Sequence, residues 1–113
     1  MRFHRPQRVG SLIRKELGMM IERGLEFPGA LVTITEVEVN EEMEHAAVNF
    51  SVFPSEKSKR VLEVLNKRRR NLQFKLGRKL NIRPMPEIMF RIDFGLKNAA
   101  DVERALLEDK KEI

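Results

Sequence analysis

Hydrophobic and polar positions recur along the chain with two different periods. From Arg8 to about Arg23, apolar residues return at steps of three and four, which is typical of a helix with one face in a core. Gly24 and the Phe-Pro-Gly sequence at 27–29 then predict the end of this helix and a turn. The first predicted element is therefore an amphipathic helix.

The next two elements are predicted to be strands. Residues 31–39 are rich in β-branched side chains, but their alternation changes phase between Ile34 and Val37. A bulge near Thr35 or Glu36 would keep the apolar residues on both sides of the change buried. After an acidic turn, residues 45–52 alternate strictly, which predicts a half-buried strand paired antiparallel with the first.

The second half of the chain is predicted to contain two helices in succession. Apolar residues at helical spacing run from Val61 to Leu65 and resume from Leu72 to Leu80. The arginine triplet 68–70 occupies positions where the apolar stripe should continue. We therefore place a helix on each side of the triplet.

A third strand and a short helix complete the pattern. Pro84 and Pro86 forbid further helix, and residues 87–93 alternate again as a strand. Asn98 is placed to cap a last helix. We expect an α+β fold of the order α-β-β-α-α-β, in which helices cover one face of a small three-stranded sheet.

Composition restricts the class of protein. With 113 residues the chain makes one domain, 1–113, with flexible ends at 1–4 and 108–113. The absence of cysteine excludes disulfides, thiolate nucleophiles and cysteine-bound zinc. Apolar runs are far too short to cross a bilayer, and no signal-type stretch is present. We expect a soluble, cytoplasmic protein.

The net charge of +5 is unevenly distributed along the chain. Residues 67–83 contain eight basic side chains and no acidic one, and residues 1–15 contain five more without an acidic partner. Solvated helix faces usually mix signs because opposite charges four residues apart stabilise each other. One alternative is a solvent-exposed helix face without a binding role, on which the aliphatic parts of the Lys and Arg side chains cover apolar surface. The absence of acidic residues instead favours a polyanionic partner.

A third interpretation of the same segment is a basic amphipathic helix that binds a membrane or a partner protein. Such a helix needs a large apolar face available to the partner. Only Phe74 is aromatic here, and the leucines of the stripe are required by the core. We regard this interpretation as the weakest of the three.

The sequence contains few residues that could act in catalysis. His4 and His45 are the only histidines, and we expect both at the surface. The carboxylates of Glu41, Glu42 and Glu44 are of a type that binds Mg²⁺, but no companion ligand spacing accompanies them. We predict no catalytic residue, no metal, no cofactor and no small-molecule substrate, so the protein is not expected to be an enzyme.

Several segments together resemble the ribosome-binding factor A family. They are Arg5, Arg8 and Val9 at the first helix, VTITEVEV at 32–39, and LGRKLNIRPMPEIMFRID at 76–93. The resemblance spans roughly residues 5–107 and implies a type II KH-like fold. It also implies a non-enzymatic, monomeric factor that binds the small ribosomal subunit and its rRNA, including the precursor. The family assists late maturation of the 5′ region of that rRNA.

The sequence departs from the KH pattern between the two predicted helices. No GxxG motif is present, although ordinary KH modules use its glycine amides to clamp the nucleic-acid backbone. When Gly77 is aligned with the later glycine of the family, Arg68 and Arg70 stand where the family bends its backbone on small residues. Either the bend survives without them, or side chains on a straighter helix contact the phosphates.

The candidate RNA-binding residues are therefore all basic. Lys75 would lie toward the inner face if the helix were continuous, and a generic RNA-binding KH-like module remains the alternative function. The full set is Arg5, Arg8, Lys67, Arg68, Arg69, Arg70, Lys75, Arg78, Lys79 and Arg83.

Overall fold

The structure, a computed structural model, describes residues 5–25 and 27–95. The predicted flexible ends, His4 and the helix predicted to start at Asn98 lie outside the described residues. The elements are α1 (Arg5–Gly24), β1 (Leu31–Val39), β2 (His45–Phe53), a 3-10 turn (Ser55–Lys57), α2 (Ser58–Leu80) and β3 (Glu87–Ile92).

The strands form one mixed sheet in the order β1-β2-β3. The hairpin of β1 and β2 is antiparallel, as predicted, whereas β3 runs parallel to β2. The register shifts between Ile34 and Glu36, so Thr35 is the extra residue of a bulge. The predicted bulge is confirmed, and it returns Val37 and Val39 to the same side of the sheet as Ile34.

Both helices pack on the same face of the sheet. Side chains at alternate positions of the strands meet the apolar stripes of α1 and α2 in one core. This arrangement confirms the expected α+β class. The core residues include Ile13 and Leu17 of α1, Val48 and Phe50 of β2, Leu65 and Leu76 of α2, and Ile88 of β3.

The two helices predicted on either side of the arginine triplet are one continuous helix, α2. Leu65 and Leu72 are both buried, and their separation of seven residues is close to two helical turns. The apolar stripe therefore keeps its direction across 68–70 without a break in the helix. α2 ends where Asn81 adopts a left-handed conformation and donates its N–H to the carbonyl of Gly77.

Candidate nucleic-acid interface

A groove of about 810 Å³ brings the two basic segments of the sequence together. Arg5 and Arg8 reach it from the start of α1, and Arg83 reaches it from the loop after α2. These arginines are separated by most of the chain, so only the fold makes them neighbours. The remaining lining residues are Val9, Leu12, Asn81 and Ile82.

Close packing against the sheet holds the α1 side of this groove. Gly10 is buried, and a Cβ atom added to it would lie 2.7 Å from the carbonyl oxygen of Val37 and 3.6 Å from a methyl carbon of Val39. A larger residue would therefore hold the helix away from β1. Because Arg8 precedes Gly10 by less than one turn, this contact also fixes where the backbone of Arg8 lies beside the groove.

Gln73 holds the other side of the groove. Its amide nitrogen donates to the carbonyl of Pro86 at 2.8 Å, and its amide oxygen accepts the N–H of Ile88 at the same distance. The side chain thus joins α2 to the start of β3 and spans the loop that carries Arg83. Since these groups are partly buried, both bonds are shielded from competing water.

The basic residues of α2 lie on two sides of the helix. Lys67, Arg70 and Arg78 follow the side opposite the core, together with Phe74. Arg68, Lys75 and Lys79 are also exposed and lie along one flank. The expected inward placement of Lys75 on a continuous helix is therefore wrong, because Leu72 and Leu76 already occupy the inward positions.

Arg69 differs from the other candidates. Its guanidinium nitrogen lies 3.0 Å from a carboxylate oxygen of Glu87, and its side chain is 31% exposed. Within residues 5–25 and 27–95, no other member of the predicted set forms an ion pair with a carboxylate. Most of the set therefore presents uncompensated positive charge, whereas Arg69 is already partnered.

Acidic side chains occupy the opposite, uncovered face of the sheet. Glu36 and Glu38 are exposed there, and Arg91 offsets one of them by approaching Glu38 to 3.8 Å, whereas Glu87 at the start of β3 is paired with Arg69. The acidic turn adjoins the start of β3, because the backbone carbonyl of Glu44 accepts the N–H of Glu87. A polyanion would therefore be repelled from the uncovered face of the sheet and attracted to the side of the molecule that carries the helices.

Aromatic residues are also divided between core and surface. Phe50 and Phe90 are buried and pack edge to face with ring centroids 6.4 Å apart, as their strand positions predict. Phe74 is 64% exposed, and the guanidinium carbon of Arg78 lies 5.8 Å from its ring centroid. From the sequence, Phe74 was considered only as part of an apolar face for a membrane or a partner protein, although its place among basic residues was visible.

The bulge residue has a defined polar role. The Thr35 hydroxyl donates to a carboxylate oxygen of Asp93 at 2.7 Å, and the N–H of Gly95 donates to the other oxygen at 2.9 Å. These two hydrogen bonds, the one from Thr35 first, lower the pKa of Asp93. The bulge thereby ties β1 to the residues that follow β3.

The acidic turn is organised by Asn40. Its amide oxygen accepts the N–H groups of Glu44 and His45, and its amide nitrogen donates to Glu42. His45 is exposed, as expected. Over the described part of the chain, no group of three or more histidine, cysteine or acidic side chains is arranged to hold a metal ion. Over the same residues, neither helix combines the length and apolar character needed to span a bilayer.

The fold and this surface define a small KH-like α+β domain whose two helices carry a basic face. A family model described as ribosome-binding factor A matches residues 5–106. The chain belongs to the ribosome-binding factor A family.

Curated relatives cover nearly the whole chain. The ribosome-binding factor A of Akkermansia muciniphila is 36% identical over 105 residues, which are 93% of this chain and 83% of the relative. That of Pseudomonas paraeruginosa is 33% identical over 117 residues, covering 96% of this chain and 91% of the relative.

Solved structures share the fold. The crystal structure of ribosome-binding factor A from Thermus thermophilus has a TM-score of 0.66 at 23% identity and covers 77% of this chain and 94% of its own. A homology model of the Thermus thermophilus factor, as fitted into a cryo-EM map of its 30S complex, has a TM-score of 0.62 at 24% identity. It covers 73% of this chain and 88% of its own.

Proposed function

We propose that this protein binds the small ribosomal subunit and its rRNA, including the precursor. In this proposal it assists late maturation of the 5′ region of that rRNA, as a cytoplasmic monomer without catalysis. Family membership supports the proposal, as does the relative fitted into a map of a 30S complex. The observation that carries it for this chain is the convergence of Arg5, Arg8 and Arg83 in one groove beside the basic face of α2.

The contacts would be made by side chains rather than by a glycine loop. α2 runs unbroken through the positions where KH modules place their GxxG loop, so its backbone N–H groups are used within the helix. Exposed arginines such as Arg68 and Arg70 present fork-shaped donors that match phosphate oxygens. Affinity then depends on charge and on the shape of the RNA rather than on base sequence.

Binding of this kind can promote maturation without a chemical step. A factor that fits one rRNA conformation better than another shifts the equilibrium by the difference in its two affinities. Because the basic surface wraps from α1 over the end of α2, it can distinguish RNA shapes that place phosphates differently. Catalytic residues are not required for this activity.

The membrane and protein-binding alternatives lack an available apolar face. Leu65, Leu72 and Leu76 are buried against the sheet, and from Lys67 to Arg78 the side of α2 opposite the core carries basic residues and Phe74. An amphipathic helix that binds a bilayer would need those leucines on its surface. A generic RNA-binding module remains the second candidate, and binding to intact subunits separates the two.

The test measures binding to purified small subunits at several salt concentrations. The triple variant Arg5→Gln, Arg8→Gln, Arg83→Gln should bind more weakly because it removes from the groove the three guanidinium groups that would contact phosphates. Each contact contributes about 0.7 to 0.9 to the slope of log affinity against log salt, so the slope should fall by about 2 to 3.

A matched control removes the same net charge from exposed positions outside this groove. Arg14→Gln, Lys15→Gln and Arg23→Gln change exposed side chains further along α1. We expect this variant to keep most of the wild-type slope. Equal slopes for the two triple variants would contradict the groove assignment, and binding to naked RNA but not to small subunits would favour the generic module.

A further inference from the structure

We propose that Phe74 and Arg78 form a stacking site for an unpaired RNA base on the outward side of α2. The inference rests on the proposed RNA binding and deepens it. It names the feature of the RNA that the surface would select, namely a single unstacked base beside phosphates held by Arg83.

Packing of the hydrophobic core does not explain Phe74. Its side chain is 64% exposed, and it is not among the residues of the hydrophobic core or those packed against it. It lies midway between Arg70 and Arg78 on the outward side of the helix, four residues from each. Singly exposed apolar residues are common, so exposure alone would carry no inference.

The space beside the ring is open. Phe74 and Arg78 line a groove of about 510 Å³, which is within the size range of small-ligand sites. Gly77 lines the same groove, and a Cβ atom added to it would meet nothing within 4 Å. The glycine therefore leaves room next to two flat groups, a phenyl ring and a guanidinium, both of which stack on bases.

This second groove adjoins the first. Asn81 and Arg83 line both of them, so a phosphate held by Arg83 would place the neighbouring base within reach of Phe74. Gln73 also lines the second groove, but its side-chain amide is already hydrogen-bonded to the carbonyl of Pro86 and the N–H of Ile88. Asn81 is exposed and can supply both a donor and an acceptor to a base edge.

Charge complementarity selects RNA as the occupant. The ring is surrounded by basic side chains, and residues 67–83 contain no acidic one. A nucleotide offers a flat ring to Phe74 and a phosphate to Arg78 or Arg83, which satisfies both chemistries of the groove at once. A single exposed ring with half-buried Met85 is too small an apolar area to anchor a membrane.

The experiment uses two RNA hairpins with the same number of nucleotides. One has a fully paired stem, and the other carries a single unpaired adenine in the stem. The wild-type protein should prefer the second hairpin by about 5-fold or more, since base stacking on an aromatic side chain is worth about 5- to 150-fold per base. Phe74→Leu should remove this preference, and Phe74→Trp should keep it.

The control variant is Phe53→Leu, which alters a phenylalanine that is 76% exposed at the end of β2. It lies outside both grooves and should keep the preference. Urea unfolding of the Phe74→Leu variant establishes that it folds as the wild type does.

Three results would overturn the stacking proposal. The first is a wild-type protein that binds the two hairpins equally. The second is a Phe74→Leu variant that still prefers the hairpin with the unpaired adenine. The third is a Phe74→Leu variant that binds both hairpins as the wild type does but no longer binds small subunits. The last result would mean that the ring contacts a protein. If the salt slope with small subunits stays steep in any of these cases, the proposed function survives. A wild-type protein whose binding to small subunits does not depend on salt would contradict the proposed function itself.

Discussion

Gly10 provides a direct test of how α1 is positioned. In Gly10→Ala, the new methyl group would lie 2.7 Å from the carbonyl oxygen of Val37, which belongs to β1 and cannot rotate away as a side chain could. α1 and β1 would have to separate by several tenths of an ångström. Overpacking of this kind typically costs about 1 to 3 kcal/mol.

Gly18 in the same helix is the matched control. A Cβ atom added there meets nothing within 4 Å, so Gly18→Ala should gain only the helix preference of alanine, about 0.5 to 1 kcal/mol. That preference is common to both variants and cancels in their difference. The Gly10→Ala variant should therefore be about 1 to 3 kcal/mol less stable than Gly18→Ala.

Urea denaturation of the two variants measures this difference directly, because the change in surface exposed on unfolding is the same. Equal stabilities, or a more stable Gly10→Ala, would refute the close approach of α1 to the sheet. Since Arg8 lies next to this contact, Gly10→Ala should also weaken binding to small subunits more than Gly18→Ala does.

Three further outcomes are expected. Because the pKa of Asp93 is lower in the folded protein than in the unfolded chain, its ionised carboxylate stabilises the fold at pH values above the unfolded pKa. This stabilisation is lost as the pH falls through the folded pKa. Thr35→Val should therefore reduce the loss of unfolding free energy on acidification, measured by urea unfolding at several pH values. Gln73→Leu should lose about 1 to 3 kcal/mol of unfolding free energy, because it leaves a partly buried strand amide without its partner. Arg69→Met should weaken small-subunit binding less than Arg70→Met in a filter-binding assay, because the Arg69 charge is already paired.

The sheet and its bulge were predictable because strand periodicity is local. The change of phase between Ile34 and Val37 requires one extra residue, and Thr35 supplies it. The core positions of β2 follow from simple alternation in the same way. Burial of one face leaves little freedom in the register.

The helix boundary was mispredicted because three polar residues were read as a break. Leu65 and Leu72 lie seven residues apart, so a continuous helix keeps both on its inner side while the triplet 68–70 passes over the outside and the edge. Arginine also has a high helix propensity, which gives no local reason for the helix to stop.

The basic residues of the candidate site can be selected from the sequence, but their arrangement cannot. The ten basic residues could be named from charge alone. Nothing local indicates that Arg5 and Arg8 meet Arg83, that Gly10 touches a carbonyl of β1, or that Arg69 pairs with Glu87. Those contacts depend on packing between distant parts of the chain, which the spacing of apolar residues along the sequence does not specify.

The central claim is tested most directly by where the protein travels in a sucrose gradient of a cell lysate. Tagged wild-type protein should move with free small subunits and be absent from polysomes, and the variant with glutamine at Arg5, Arg8 and Arg83 should shift to the top of the gradient. An even distribution over all ribosomal particles, or none on any of them, would contradict the assignment of this protein to small-subunit assembly.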